Sequence, residues 1–252
     1  MQIRPGIELG NRSDVGCRRA ANEDYYAYAE PENEDAFTAK GRLVVVADGL
    51  GGHSSGEIAS ATAVETIRDA YLRHPSSDPC EALAEAFRQA QTAILEAAAA
   101  NPELEGMGTT CTCAVVRGYE LSFAHVGDSR LYLIRGGSIT QLTGDHSYVA
   151  QLVRDGQITP EQAESHPERN VLTAALGMRS AVPVELTEHP IALAAGDILL
   201  LCTDGLHGLV RDPEMLQVAQ NGAPGDACLA LVELAKQRGG FDNITVQILR
   251  IS

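Results

Sequence analysis

One stretch of ten residues decides the fold, and it reads Val-Val-Val-Ala-Asp-Gly-Leu-Gly-Gly-His from Val44 to His53. It opens as an apolar, β-branched run, which is typical of a buried strand. The run ends at Asp48, and a carboxylate held at the end of a rigid strand is costly unless a positive charge meets it. The following glycines let backbone carbonyls approach a ligand closely. The stretch therefore indicates a hard-cation site with oxygen ligands, although an ordinary Asp-Gly turn also explains these residues when they are taken alone.

Acidic residues recur at the ends of other apolar strands. Four of them share this position, namely Glu23, Asp128, Asp204 and Asp242. If the strand ends meet, these carboxylates repel one another, by roughly 4 kcal/mol for a pair about 4 Å apart at an effective dielectric constant of about 20. Bound divalent cations would remove that repulsion. A ligand set made of oxygen atoms alone favours Mg²⁺ or Mn²⁺ over Zn²⁺.

A site of this kind also suggests a chemistry. Two divalent ions about 4 Å apart can activate a bridging water and clamp a phosphoryl group. A phosphomonoester dianion then needs a fixed cation, and arginine is the side chain that binds it through two hydrogen bonds. Arg19 lies beside the Asn-Glu-Asp sequence at residues 22–24 and is the candidate. The alternative interpretation is that Arg19 is an ordinary surface arginine exposed to solvent.

Composition limits the remaining possibilities. The chain has 252 residues and a net charge of −15, and 44 % of it is hydrophobic, which indicates one large domain over residues 1–252. The negative charge argues against nucleic acid and against an anionic membrane surface as partners. The six cysteines form no CxxC pair, and no run of about 18 apolar residues is found. We therefore expect a reducing, cytoplasmic location and a monomer.

The order of the elements indicates the fold class. The periodicity predicts three strands before residue 48, a β-meander at 109–142 and helices at 55–73, 79–100 and near 213–220 and 225–237. The polar residues 30–42 are expected to form a loop. Because helices do not alternate strictly with strands, antiparallel sheets with helix pairs packed outside are favoured over a doubly wound parallel sheet.

Six short motifs cover nearly the whole chain. They are Arg19–Asp24, Ala47–His53, Gly106–Thr110, His125–Arg130, Cys202–Leu206 and Gly240–Thr245. Any one of them is weak evidence. Taken together and in this order, they resemble the successive motifs of the metal-dependent PP2C-type (PPM) serine/threonine protein phosphatases, bacterial branch.

The resemblance implies an α+β fold in which two antiparallel sheets pack face to face, with a pair of helices outside each. It also implies a metal site of two Mg²⁺ or Mn²⁺ ions. Asp48 would bridge both ions, the carbonyl of Gly49 would be a ligand, and Glu23, partly through water, would serve one of them. The other ion would be held by Asp204 and Asp242. Asp128 matches a residue that binds a third, weaker ion in bacterial members.

The same resemblance implies the reaction, which is hydrolysis of phosphoserine and phosphothreonine by direct attack of a metal-bridging water. Arg19 would bind the phosphate, and His53 or a second metal-bound water would protonate the leaving group. Phosphorylated proteins are the expected substrates, and a cognate serine/threonine kinase is the expected partner. Residues from about 145 to 182, here called the flap segment, match a flap near the active site.

Two alternatives remain at this point. The same metal chemistry would suit a hydrolase for small phosphate esters, and the fold could serve as a non-catalytic binding module. A module of that kind predicts the loss of Asp48, Asp204 or Asp242, and none is lost. A cysteine-dependent phosphatase is disfavoured, because the residues between Cys111 and Arg117 form an apolar strand rather than a phosphate-binding loop. His125 lies inside a strand and is interpreted as a packed core residue.

Overall fold

The structure is a computed structural model that describes residues 4–51, 55–178 and 182–252. Its strands are β1 (Ile7–Asp14), β2 (Asp24–Ala29), β3 (Arg42–Leu50), β4 (Gly108–Thr109), β5 (Cys111–Arg117), β6 (Glu120–Val126), β7 (Arg130–Arg135), β8 (Ser138–Gln141), β9 (Glu185–Leu186), β10 (Ile191–Ala192), β11 (Ile198–Cys202) and β12 (Ile244–Ile251). Its helices are α1 (Glu34–Lys40), α2 (Ser55–Arg73), α3 (Pro79–Ala100), α4 (Tyr148–Arg154), α5 (Pro160–Glu164), α6 (Asp204–His207), α7 (Asp212–Gln220) and α8 (Pro224–Gln237).

Two antiparallel sheets form the centre of the molecule. One has the strand order β1-β12-β11-β7-β8, and the other has the order β10-β6-β5-β3-β2, with β4 added to β3 and β9 added to β6. Strand β3 is interior, between β2 and β5. This position explains why the run from Leu43 to Ala47 is apolar at every residue and at most 1 % exposed.

Three apolar clusters define the layers. Val45 faces α2 and α3 in the first cluster, whereas its neighbour Val44 points the other way, into a cluster between the two sheets. The third cluster packs α7 and α8 against the first sheet, with Leu200 and Leu231 among its members. The layers therefore run helix, sheet, sheet, helix, and the predicted fold is confirmed.

One predicted loop is wrong. Residues 30–42 contain α1, whose first turn is capped by Asn33, since the Asn33 side chain accepts a hydrogen bond from the Ala36 amide. The helix ends at Gly41, where φ is +67°. The helix was missed because it is seven residues long and mostly polar, so it shows little apolar periodicity.

The flap segment contains two short helices. Ser147 caps α4, and Thr159 caps α5 through a capping box with Gln162. The segment is joined to the sheets at its base, because the Thr173 amide donates to the His146 carbonyl and the His146 amide donates to the Gly127 carbonyl.

Two further features follow from the described residues. All six cysteines are free thiols, and Cys111 and Cys113 lie on the same face of β5 in one apolar cluster, as their spacing predicts. Across the three described ranges, we find no helix with the length and apolar character needed to cross a membrane.

Candidate metal centre

The register of β2 against β3 places two carboxylates face to face. Asp24 opens β2 and lies directly opposite Asp48 near the end of β3. Asp24 is buried, at 6 % exposure, whereas Asp48 is half-buried. Directly opposed residues of an antiparallel pair have neighbouring side chains, and two like charges in these positions destabilise the pair. The sheet therefore brings together two acids that favour a cation between them.

A short hydrogen-bond chain holds Asp24. The Thr203 hydroxyl donates to Asp24 Oδ2 at 2.9 Å, and the Thr245 amide donates to Thr203 Oγ1 at 3.0 Å. Among the described residues, Asp24 Oδ1 has no hydrogen-bond partner. Burial is the main cause that raises the pKa of Asp24 to about 7, and the charge of Asp204 raises it further. One carboxylate oxygen is thus fixed in place while the other is buried and unpaired.

Asp204 reaches the same place from the other sheet. It follows β11 and opens the one-turn helix α6, and a side chain at Gly205 would collide with the Asn243 carbonyl, since a Cβ there would lie 1.9 Å from that oxygen. Burial, and then the charge of Asp242, raise the pKa of Asp204, while a hydrogen bond with Asp48 lowers it. Its Oδ1 is also unpaired within the described part of the chain.

Asp128 lies in the turn between β6 and β7. Burial, and then the charge of Asp204, raise its pKa to about 8. The backbone of this turn is fixed from two sides. His207 Nε2 lies 2.9 Å from the Asp128 carbonyl, and Arg130 forms a bidentate ion pair with Asp145 at 2.7–3.2 Å.

Gly49 is required by close packing. Its amide donates to the Glu23 carbonyl at 3.1 Å. A Cβ at this position would lie 2.2 Å from the Gly56 carbonyl oxygen and 2.6 Å from that of Glu23. Only glycine fits between the start of α2 and the segment that precedes β2, which explains the Asp-Gly pair at residues 48–49 in structural terms.

The rim of the cluster carries the candidate phosphate ligand. Arg19 is 47 % exposed and donates through Nη2 to Asp242 Oδ2 at 2.7 Å, while its Nη1 lies 3.7 Å from Glu23 Oε2. The hydrogen bond with Asp242 is the main cause that raises the pKa of Arg19. Burial raises the pKa of Glu23, and the charge of Arg19 opposes that rise.

Asn243 connects this rim to the sheet. Its Oδ1 accepts from the Glu23 amide at 2.8 Å, and its Nδ2 donates to the carbonyls of Val15 and Ala21 at 3.0 and 2.9 Å. One buried amide side chain therefore fixes the loop that carries Arg19.

The predicted carboxylates converge. Burial raises the pKa of Asp48 well above its usual range, and the charges that add to the rise are those of Asp24, Asp204, Asp128 and Asp242. Gly49 follows Asp48 directly, and Arg19 and Glu23 lie at the rim. His53, the predicted proton donor, lies outside the described residues.

Sequence reasoning missed Asp24. It selected Glu23 from the Asn-Glu-Asp sequence, yet Asp24 is the acid that faces Asp48. The sequence contains a sign of its role, because Asp24 stands immediately before the apolar run of β2. Asp48 stands in the same way immediately after the apolar run of β3.

Comparison with known proteins identifies the family. A profile described as "Protein phosphatase 2C" matches residues 22–229, which is most of the chain. The chain belongs to the protein phosphatase 2C family. The resemblance drawn from the six motifs is confirmed.

Individual members of the protein phosphatase 2C family support this assignment. The chain is 40 % identical over 242 residues to serine/threonine protein phosphatase PstP of Mycobacterium tuberculosis, a match that covers 96 % of this chain and 44 % of PstP. The chain thus spans less than half the length of that relative. It is 33 % identical to protein phosphatase PhpP of Streptococcus pneumoniae, with 98 % of each chain covered.

A solved structure shows the same fold. It is the catalytic domain of serine/threonine protein phosphatase PstP in complex with two manganese ions, which superposes with a TM-score of 0.84 at 36 % identity over 98 % of both chains.

Proposed function

We propose that this chain is a metal-dependent protein phosphatase that hydrolyses phosphoserine and phosphothreonine. The observation that carries the proposal is the convergence of Asp24, Asp128 and Asp204 on Asp48, in a chain of the protein phosphatase 2C family. Four carboxylates in this arrangement serve no obvious packing purpose, because the charges of the other three raise the pKa of Asp48.

The residues present fit divalent cations. Asp24 and Asp204 each keep one buried oxygen without a partner among the described residues, and the donor set contains oxygen atoms only. Mg²⁺ and Mn²⁺ prefer this donor chemistry. The relatives' manganese complex supports the same choice. We infer two ions held by Asp48, Gly49, Glu23, Asp204 and Asp242, and a third, weaker one at Asp128.

The ions, when bound, would supply charge neutralisation, Lewis-acid polarisation and water activation for phosphoryl transfer. The chain's own residues bind and orient the phosphoryl group. The exposed guanidinium of Arg19 binds the phosphoryl oxygens, and Asp242 holds it in position through the 2.7 Å contact. Glu23 limits its movement on the other side. His53 stays the predicted donor of a proton to the leaving serine or threonine oxygen.

Substrate and partners follow from the family. PstP and PhpP are named protein phosphatases, which supports phosphorylated proteins as the substrates of this chain. The flap segment, which starts beside Asp128, is the part of the described chain suited to contact a substrate protein. A cognate serine/threonine kinase and a monomeric state remain predictions.

A substrate panel tests the proposal. Phosphothreonine peptides, nucleotides and p-nitrophenyl phosphate would be offered with Mn²⁺ and with chelator, using the wild-type chain, Asp48→Asn and the surface control Glu96→Gln. We expect turnover of the phosphopeptide that depends on Mn²⁺, is lost in Asp48→Asn and is unchanged in Glu96→Gln. Turnover of nucleotides without turnover of phosphothreonine would reject protein phosphatase activity in favour of a small-ester hydrolase.

A further inference from the structure

A second group of metal-ligating side chains lies outside the carboxylate cluster. Among the described residues, His125, His146 and Glu185 each offer a ligand atom, and these atoms lie within 4.8 Å of one another. His125 and Glu185 are directly opposed in the pairing of β6 with β9, and His146 lies at the base of the flap segment. The two imidazole rings are 5.1 Å apart between centroids. The proposed phosphatase mechanism uses none of the three.

His125 presents a bare nitrogen. The Thr112 hydroxyl donates to the Ser129 carbonyl at 2.9 Å, and because it has one hydrogen it must accept from Nδ1 of His125 at 2.8 Å. This assigns the ring proton to Nδ1 and leaves a lone pair on Nε2, the tautomer that ligates metals. His125 is fully buried, and its Nε2 has no hydrogen-bond partner in the part of the chain that the structure describes. Burial lowers the pKa of His125 to about 3, so the ring is neutral.

The other two ligands are accessible. His146 and Glu185 line an open pocket of about 530 Å³, together with Gly144 and Arg154. Glu185 Oε2 accepts from the Gly144 amide at 2.9 Å, which orients the carboxylate. An ion can therefore reach two of the three ligands from solvent, whereas His125 lies behind them and does not line the pocket.

We propose that His125, His146 and Glu185 form a second metal site, which takes a divalent ion of the zinc type. Two imidazoles and one carboxylate are a catalytic-type zinc ligand set that keeps the fourth position open. This chemistry differs from that of the oxygen-only cluster around Asp48, so the two sites prefer different metals.

Binding requires a local rearrangement. Ligand atoms about 2.0–2.2 Å from zinc lie about 3.3 Å from one another. The ligand atoms of His125, His146 and Glu185, now within 4.8 Å of one another, must therefore move closer together. His146 Nδ1 now accepts from the Gly127 amide at 3.2 Å. A ring nitrogen cannot accept this bond while it carries a proton or a metal, so coordination through either nitrogen of His146 opens the contact. Gly127 precedes Asp128, and metal binding here therefore changes the turn that carries Asp128.

Zinc counting by equilibrium dialysis tests the site. The untagged full chain would be dialysed against Zn²⁺ with excess Mg²⁺, as wild type, Asp48→Asn, Glu185→Gln, His146→Gln and the exposed-histidine control His189→Gln. Glu185→Gln keeps an oxygen for the Gly144 amide, so its fold should be preserved; a thermal melt checks this.

We expect one Zn²⁺ per chain in the wild type, in Asp48→Asn and in His189→Gln. Glu185→Gln and His146→Gln should each raise the dissociation constant for Zn²⁺ at least about 10-fold. A change of about that size is already seen when a residue that only hydrogen-bonds to a metal ligand is removed. Co²⁺ bound in place of Zn²⁺ should show visible absorption that Glu185→Gln abolishes. Unchanged zinc counts in both cluster variants, or loss of zinc in Asp48→Asn alone, would overturn the proposal.

Discussion

Asp24 and Asp48 face each other across β2 and β3, and the side chain of Asp24 is held by Thr203 from the opposite sheet. The contact joins the two sheets at the point where acids from both converge. Without cations, the arrangement opposes folding, because burial and the charges of neighbouring acids raise the pKa values of both carboxyls. The stability of the chain and its affinity for metal are therefore coupled through these two residues.

Asp24→Asn should stabilise the chain in chelator and weaken its binding of Mn²⁺. The amide removes a buried charge but still accepts the hydrogen bond from Thr203. We expect the free energy of unfolding to increase by about 1–4 kcal/mol at pH 8, since one unit of pKa shift corresponds to about 1.4 kcal/mol. Thermal unfolding with EDTA measures the gain, and Glu96→Gln, which removes a surface charge, should have no effect. A lower melting temperature for Asp24→Asn would count against the account.

The metal-free chain should lose stability as the pH rises from about 6.5 to about 8, a range above the unfolded-state pKa of His125 and His207, whose folded-state pKa values are lowered by burial. The folded-state pKa values are about 7 for Asp24 and about 8 for Asp128, above the value of about 3.9 in the unfolded chain. The folded state therefore holds more protons in this range, and stability falls as the pH rises through those values. Melting curves at several pH values in EDTA measure this trend.

The control for that prediction is saturating Mn²⁺. A bound cation favours the ionised carboxylates, so the slope should flatten or reverse. Parallel slopes with and without Mn²⁺ would mean that the carboxylates of Asp24 and Asp128 are not at the metal site.

Most of the fold could be predicted from the sequence. The long helices and the meander show clear periodicity, and the order of elements disfavours a doubly wound sheet. Helix α1 could not be predicted in this way, because its stability comes from the cap at Asn33 and from its surroundings rather than from an apolar stripe. The one-turn helix α6 is too short to show any period.

The site was predicted in part. Asp48 and Asp204 are visible because each ends an apolar strand with an Asp-Gly pair. The position of Asp24 before the apolar run of β2 is visible in the sequence, but its pairing opposite Asp48 depends on strand register, which a single sequence does not provide. The same holds for His125 and Glu185, which are 60 positions apart and meet through a two-residue strand. Reading His125 as a core residue was correct for its burial, but its unpaired nitrogen needed the structure.

Asn243→Ala should destabilise the chain and impair substrate binding. The change removes three hydrogen bonds that fix the loop carrying Arg19. Each hydrogen bond contributes about 0.5–1.5 kcal/mol, so the free energy of unfolding should fall by about 2–4 kcal/mol. The KM for phosphopeptide should rise by a larger factor than kcat falls. Steady-state kinetics and denaturant unfolding test both effects. Asn221→Ala, at an exposed helix end, is the matched control; equal effects of the two changes would refute the role of Asn243.

Arg130→Met should lower the stability of the chain much more than the substitution of a surface arginine does. Arg130 and Asp145 form a pair whose side chains are 23 % and 14 % exposed, and removal of one partner leaves the other charge buried. We expect a loss of about 3–5 kcal/mol. Arg68→Met breaks a pair on the surface of α2 and should cost about 0–1 kcal/mol. Urea unfolding compares the two variants, and similar losses would show that the buried pair does not stabilise the turn at Asp128.

The central claim is that carboxylates from separate strands form one cation site. The most direct test is an anomalous difference map from a crystal soaked in Mn²⁺, recorded at the manganese edge. We expect strong peaks between Asp48, Asp204 and Asp242, and a weaker one at Asp128. A map with no peak beside Asp48, from crystals of a chain that turns over phosphothreonine peptide with Mn²⁺, would contradict it.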